Sequence, residues 1–262
     1  MLKTFACLLA ACASSAWAHD TWFAPRASGN PAEVALLLGT GNRYPVQESG
    51  VAFEYLARSG CRGDDPQRPP IALQRVSDAP GALWLRAPAR ADRPLSCWAQ
   101  LRPFEVQLPP DKIALYLKDI QASAAVREQW ARMSARGLPW KERYTKHARI
   151  ELEPGAGAAR PVDMAMDVLL ESPQRPLRPG QPLQFRVLRD GAPLPDFAVE
   201  LRSAASPLGL WRKTDAQGRV DFTAPLPGRW VLRGTDLRLS DSEPDLWVSR
   251  FVTLAFDVAE TR

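Results

Sequence analysis

Short apolar runs broken by glycine and proline fill most of this chain, and that pattern restricts the fold more than any other feature. From Glu33 to about Leu108 the runs are Val34-Ala35-Leu36-Leu37-Leu38, Ile71-Ala72-Leu73, Ala82-Leu83-Trp84-Leu85 and Trp98-Ala99-Gln100-Leu101. Turn-like segments, Gly60 to Pro70 and Asp78-Ala79-Pro80-Gly81, separate them. Many short strands with frequent turn signals point to a β-sandwich.

A change of period follows Pro109-Pro110-Asp111. Ile113, Leu117, Ile120 and Ala124, then Val126, Trp130 and Met133, recur at helical spacing, with Gly137-Leu138-Pro139 as a stop. Lys141 to Leu152 is ambiguous. Tyr144, Lys146, Ala148, Ile150 and Leu152 alternate like a strand, while Glu142 to His147 also fits a last helical turn. Glu153 to Arg160 reads as a linker.

Beyond it the strand grammar is plain. Leu183, Phe185 and Val187 alternate, Asp190-Gly191 marks a hairpin, and Val199 and Leu201 resume. Thr214-Asp215-Ala216-Gln217-Gly218 is a further turn, and Trp230-Val231-Leu232 and Phe251 to Phe256 supply closing strands. The expected architecture is mainly β: two β-sandwich modules, the C-terminal one immunoglobulin- or transthyretin-like, with a short helical insert between them. The expected boundaries are 19–108, 109–152 for the helical insert and connecting segment, and 161–262.

The N-terminus carries chemistry. Lys3, the apolar run Phe5 to Ala13 and Ala16-Trp17-Ala18 form a secretory signal over residues 1–18 with an A-x-A cleavage site. Cleavage makes His19 the first residue, so its α-amine and ring Nδ1 can chelate one ion. Nitrogen donors of this kind suit copper, nickel, cobalt and zinc. A lipoprotein box at Leu9-Ala10-Ala11-Cys12 is the minor alternative, and would leave His19 internal. The chain is thus expected in the periplasm.

Of four cysteines, Cys61 and Cys97 survive processing, and in an exported chain two cysteines are expected to form a disulfide. The formal charge of +5 is scattered, with no basic block, so nucleic acid is not an expected partner. No later apolar run approaches the 18 residues of a membrane span.

The segments AHDTWF, Glu142 to Ala148, LRPGQPLQFRVLRDGAPL, TDAQGRVDF, PGRWVLRGTDLR and WVSRFVTLAFDV resemble a bacterial periplasmic family of unknown function, known as NikM-like components of nickel or cobalt transport. The resemblance implies transition-metal uptake or trafficking, with a membrane metal transporter or TonB-dependent receptor as partner. Relatives often carry a histidine after the Gly-Arg-Trp strand. Here Leu232-Arg233-Gly234-Thr235-Asp236 has none.

Two histidines, His19 and His147, are the whole imidazole inventory. They just suffice for a brace in which an N-terminal His and one further imidazole hold a metal. Asp20, Glu142 and Asp236 are candidate oxygen donors. Ligand chemistry favours copper, whereas the resemblance favours nickel or cobalt. His147, between Lys146 and Arg149, reads equally as a residue on a solvated face.

Other constellations are poorer. No nucleophile elbow accompanies His147, so an enzyme is not expected. Gly39-Thr40-Gly41-Asn42 lacks the Lys and helix of a phosphate loop and reads as a turn. Trp22, Trp84, Trp98, Trp230 and Trp247 lie in strand-like runs and read as core. The competing readings are a metal-free envelope module and a His-brace copper oxidase.

Overall fold

A computed structural model describes residues 19–88, 95–153, 156–172 and 176–260. The signal segment and Cys12 lie outside the described residues. The described residues are mainly β, with two short α-helices among them.

The N-terminal strands are β1 (Asp20–Arg26), β2 (Glu33–Gly41), β3 (Ser49–Gly50), β4 (Leu56–Arg62), β5 (Gln74–Asp78), β6 (Leu83–Pro88), β7 (Leu95–Leu101) and β8 (Phe104–Leu108). Two helices follow, α1 (Pro110–Asp119) and α2 (Ala124–Ala135), and then the long strand β9 (Trp140–Leu152). The C-terminal strands are β10 (Met166–Leu170), β11 (Pro182–Arg189), β12 (Ala192–Pro193), β13 (Ala198–Ser203), β14 (Gly209–Lys213), β15 (Arg219–Thr223), β16 (Gly228–Leu239) and β17 (Trp247–Val258).

Three sheets form three layers. The central one has eight strands in the order β14-β13-β16-β17-β9-β7-β4, with β8 also on β9. The β1-β2-β6-β5 sheet, with β3 on β2, covers part of one face, and the β10-β11-β12 sheet, with β15 on β11, covers part of the other. Pairing is antiparallel except between β9 and β17, which run parallel from Trp247↔Glu142 to Phe256↔Glu151. That single parallel seam joins the halves of the central sheet, so the two sandwiches share one sheet.

Successive side chains on a strand face opposite sides, and β9 shows the consequence. Ala148 and Ile150 enter the N-terminal core with Phe23, Leu36, Leu38, Leu83 and Leu85. His147, Arg149 and Glu151 face the other way, towards the C-terminal sheet. There Arg149, fully buried, meets Glu151 at 2.7 Å and Asp167 at 2.9 Å and donates to the Ala158 carbonyl at 3.1 Å. The Lys141–Leu152 segment is therefore strand throughout, and Arg149 lies on no solvated face. It ties the 156–160 turn to the sheet. On β17, Val252, Leu254 and Phe256 enter the C-terminal core with Phe185 and Leu201, while Ala255 faces the N-terminal one.

The helical insert begins with Pro110 at its first position, where a missing N–H costs nothing. Ser123 caps α2, its Oγ accepting from the Val126 N–H at 3.3 Å. Ile113, Tyr116, Leu117, Ile120 and Met133 pack onto Trp140, Trp247 and Phe251. Beneath them buried Glu142 accepts from Tyr116 Oη at 2.8 Å, Trp140 Nε1 at 2.8 Å and Ser249 Oγ. Burial pushes the Glu142 carboxyl above the usual range, against those three donors.

The turns follow local chemistry. Asp190 (φ 50°) and Gly191 (φ 78°) close the β11–β12 hairpin, since both central positions require positive φ. Asp215 Oδ1 accepts from the Gln217 and Arg219 N–H groups at 2.9 and 2.8 Å, shaping the turn into β15. Gly39 to Gly41 is not a turn: it is the end of β2, paired with Trp22, Thr21 and Asp20 of β1. No helix among the described residues is long and apolar enough to cross a membrane.

Candidate metal centre at the start of the first strand

His19 directly precedes β1. That strand is anchored at its beginning: Thr21 and Thr40 hydroxyls meet at 2.7 Å, and Thr253 Oγ1 donates to the Thr21 carbonyl at 2.6 Å. The half-buried His19 is thereby held against the central sheet, with its Nε2 enclosed and met by no partner among the described residues. Burial and then the Lys146 cation lower the pKa of its imidazole, against the opposing pull of the Glu48 and Asp20 carboxylates. A neutral ring keeps a lone pair, which is the form that ligates a metal.

Asp20 is 7% exposed and spends Oδ2 on Arg233 Nη1 at 2.9 Å, while Oδ1 has no partner among the described residues. Burial raises the pKa of its carboxyl, and Arg233 opposes the rise. Arg233 also donates to Glu200 at 2.6 Å and reaches Asp119, at the end of α1, at 3.4 Å. Burial works against this guanidinium, but Asp20, Asp119 and Glu200 together outweigh it and hold it charged. Arg233 stands in the stretch where the resemblance leads one to look for a third histidine. The cluster therefore carries a cation in that stretch.

Lys146 completes the surroundings. It projects from β9 on the same face as Ala148, and its ammonium lies 5.5 Å from the Tyr144 ring centre. Burial lowers its pKa to about 8, with Asp20 pulling the other way. A cavity of about 10 Å³, room for roughly one water-sized molecule, lies beside the cluster. Asp20, Trp22, Asn42, Tyr44, Arg202 and Arg233 line it.

His147 is elsewhere. It is 1% exposed, and its Nδ1 lies 3.0 Å from the Phe251 carbonyl, which places the ring proton on Nδ1. Burial lowers its pKa to about 4, and the charges that act on it are Arg250 and Asp190. None of these groups acts on His19. Lys146 faces His19, so its neighbour His147 faces away, and the two histidines lie on opposite faces of the central sheet. The expectation that both serve one ion does not match this placement.

The other donors are dispersed as well. Glu142 is enclosed beneath α1 with its three donors. Asp236 is paired with Arg238 at 3.0 Å and Arg189 at 3.4 Å. Cys61 and Cys97, opposite each other on β4 and β7, form a buried disulfide. Among the described residues no group of three or more His, Cys, Asp or Glu side chains is placed to hold a metal.

Sequence reading missed Lys146 as a neighbour of His19 and Arg233 as the partner of Asp20. The alternation of Lys146 with Ala148 and Ile150 was the available signal for the first. Nothing local marks the pairing of Arg233 with Asp20, 213 residues away.

The profile of a family described as Domain of unknown function (DUF4198) matches residues 16–235, and the chain belongs to that family. No curated protein and no solved structure matches it.

Proposed function

We propose that this is an exported periplasmic protein that binds one transition-metal ion through the α-amine and imidazole of His19 once residues 1–18 are removed, and passes it to or from a membrane transporter. The observation that carries the reading is the setting of His19: a half-buried, neutral imidazole fixed at the head of an anchored strand, near two carboxylates. The two nitrogens of one residue form a chelate that needs no second histidine. Copper suits such a nitrogen pair with oxygen neighbours, whereas nickel or cobalt follows from the NikM-like resemblance. Lys146 opposes a cation at this position, so the ion is held loosely enough to be exchanged.

A metal-free envelope module is the second reading. It is favoured by the engagement of Asp20 with Arg233 and by the orientation of His147, which leave one residue to hold an ion. A two-imidazole copper oxidase finds no support in this arrangement.

The test is titration of copper, nickel, cobalt and zinc into protein exported through its own signal, with His19 confirmed as first residue by intact mass. One-to-one binding, tightest for copper and lost in His19→Ala, supports the proposal. Equal behaviour of the two proteins supports the metal-free module.

A further inference from the structure

The outer face of the β1-β2-β6-β5 sheet, remote from the central sheet, holds a second concavity of about 380 Å³ lined by Arg26, Leu37, Gln47, Ser77 and Trp84. That volume falls in the usual range of small-molecule sites. Trp22, Trp98, Trp140, Trp230 and Trp247 are buried at 5% exposure or less, whereas Trp84, like Trp130 and Trp211, is half-buried, and Trp84 lies on this outer face. Its Nε1 is enclosed and finds no acceptor among the described residues. The Arg26 guanidinium lies over the Trp84 ring at 4.2 Å, and among the described residues no carboxylate forms a salt bridge with it.

The backbone is adapted to leave this space. Gly39 lets Gln47 lie on the sheet, because a Cβ there would come within 2.8 Å of the Gln47 side chain. Gln47 Nε2 then donates to the Trp22 carbonyl at 2.9 Å, which fixes its amide at the rim. A register shift between Arg75 and Ser77 brings Ser77 opposite Trp84. Bulges of this kind re-aim side chains beside binding sites. Ala79, Gly81 and Ala82 leave the remaining wall without bulky groups.

We propose that this concavity binds a carboxylate-bearing ligand of sugar-ring size, an acidic monosaccharide or its residue in a chain. Arg26 takes the carboxylate through its planar fork, which matches two oxygens at once. Ser77 Oγ serves a hydroxyl, and Leu37 and the Trp84 ring edge take the apolar side of the ring. The site involves neither His19 nor a metal, so it stands or falls separately from the proposed function.

The test is a titration of the processed protein with D-galacturonate, D-galactose and acetate, read from the Trp84 indole N–H signal in ¹⁵N-correlated NMR spectra. Trp84→Phe identifies the signal. Galacturonate is expected to shift it saturably at millimolar concentration, with galactose and acetate at least tenfold weaker. Arg26→Ala, an exposed strand-end change, should weaken galacturonate at least tenfold, and Arg26→Lys should recover part of the loss. No shift with galacturonate, an unchanged affinity in Arg26→Ala, galactose binding as well as galacturonate, or acetate binding as tightly would each overturn the proposal.

Discussion

Asp20 and Arg233 meet at 2.9 Å across 213 residues, joining the residue after His19 to β16. Both are buried, and Arg233 is shared with Glu200 at 2.6 Å. Removing one partner of a buried pair leaves an uncompensated charge, at a cost of roughly 3–5 kcal/mol. Arg233→Met should therefore destabilise the protein by about that amount in denaturant unfolding. Combined with Asp20→Asn, it should cost clearly less than the two single losses added together. Strict additivity would show that the pair is not coupled.

His147 predicts an acid sensitivity. Its folded pKa, about 4, lies below the value of about 6.5 expected of an unfolded histidine. The sign follows. Above pH 6.5 the ring is neutral in both states, so its contribution is fully present. As pH falls from 6.5 towards 4, the unfolded chain binds the proton first and stability falls by about 1.4 kcal/mol per pH unit. His147→Gln should show a smaller loss between pH 7 and pH 5 than the parent protein, measured as the urea midpoint at each pH. Parallel profiles would contradict the burial of this ring.

The Cys61–Cys97 bridge closes a loop with a sequence separation of 36 and lies within the N-terminal core. On the chain-entropy account such a loop contributes roughly 3–4 kcal/mol. The Cys61→Ala/Cys97→Ala double variant should lose about that much stability, and addition of a reductant should have no further effect on it. A loss confined to a few tenths of a kcal/mol would mean that the unfolded chain is already constrained near these residues.

Fold class was legible because it rests on local signals. Ile113, Leu117 and Met133 marked the helices, and Asp190-Gly191 marked a hairpin whose pairing is now defined. The helical pattern reads through residues 120–123, where the chain breaks instead at Gln121 (φ 51°) into two helices. The parallel seam between β9 and β17 was not legible, since it pairs segments about a hundred residues apart with no turn between them. β9 misled for a related reason. Both of its faces are covered, and the face bearing His147, Arg149 and Glu151 is polar because Arg149 pairs with Glu151 and Asp167 and His147 Nδ1 donates to the Phe251 carbonyl, not because it meets water. The same ambiguity hid the separation of the two histidines. Only the sheet's alternation, together with knowledge of what lies on each side, shows that Lys146 faces His19 and His147 does not.

The most direct measurement of the metal account compares two changes in the processed protein: one extra residue ahead of His19, and His147→Gln. Copper affinity is measured by competition with a chromogenic chelator. The account predicts that the extension removes binding, because it converts the α-amine into an amide, while His147→Gln leaves affinity within about threefold. Loss of binding in His147→Gln in a folded protein, or intact binding in the extended one, would contradict a centre built on His19 alone.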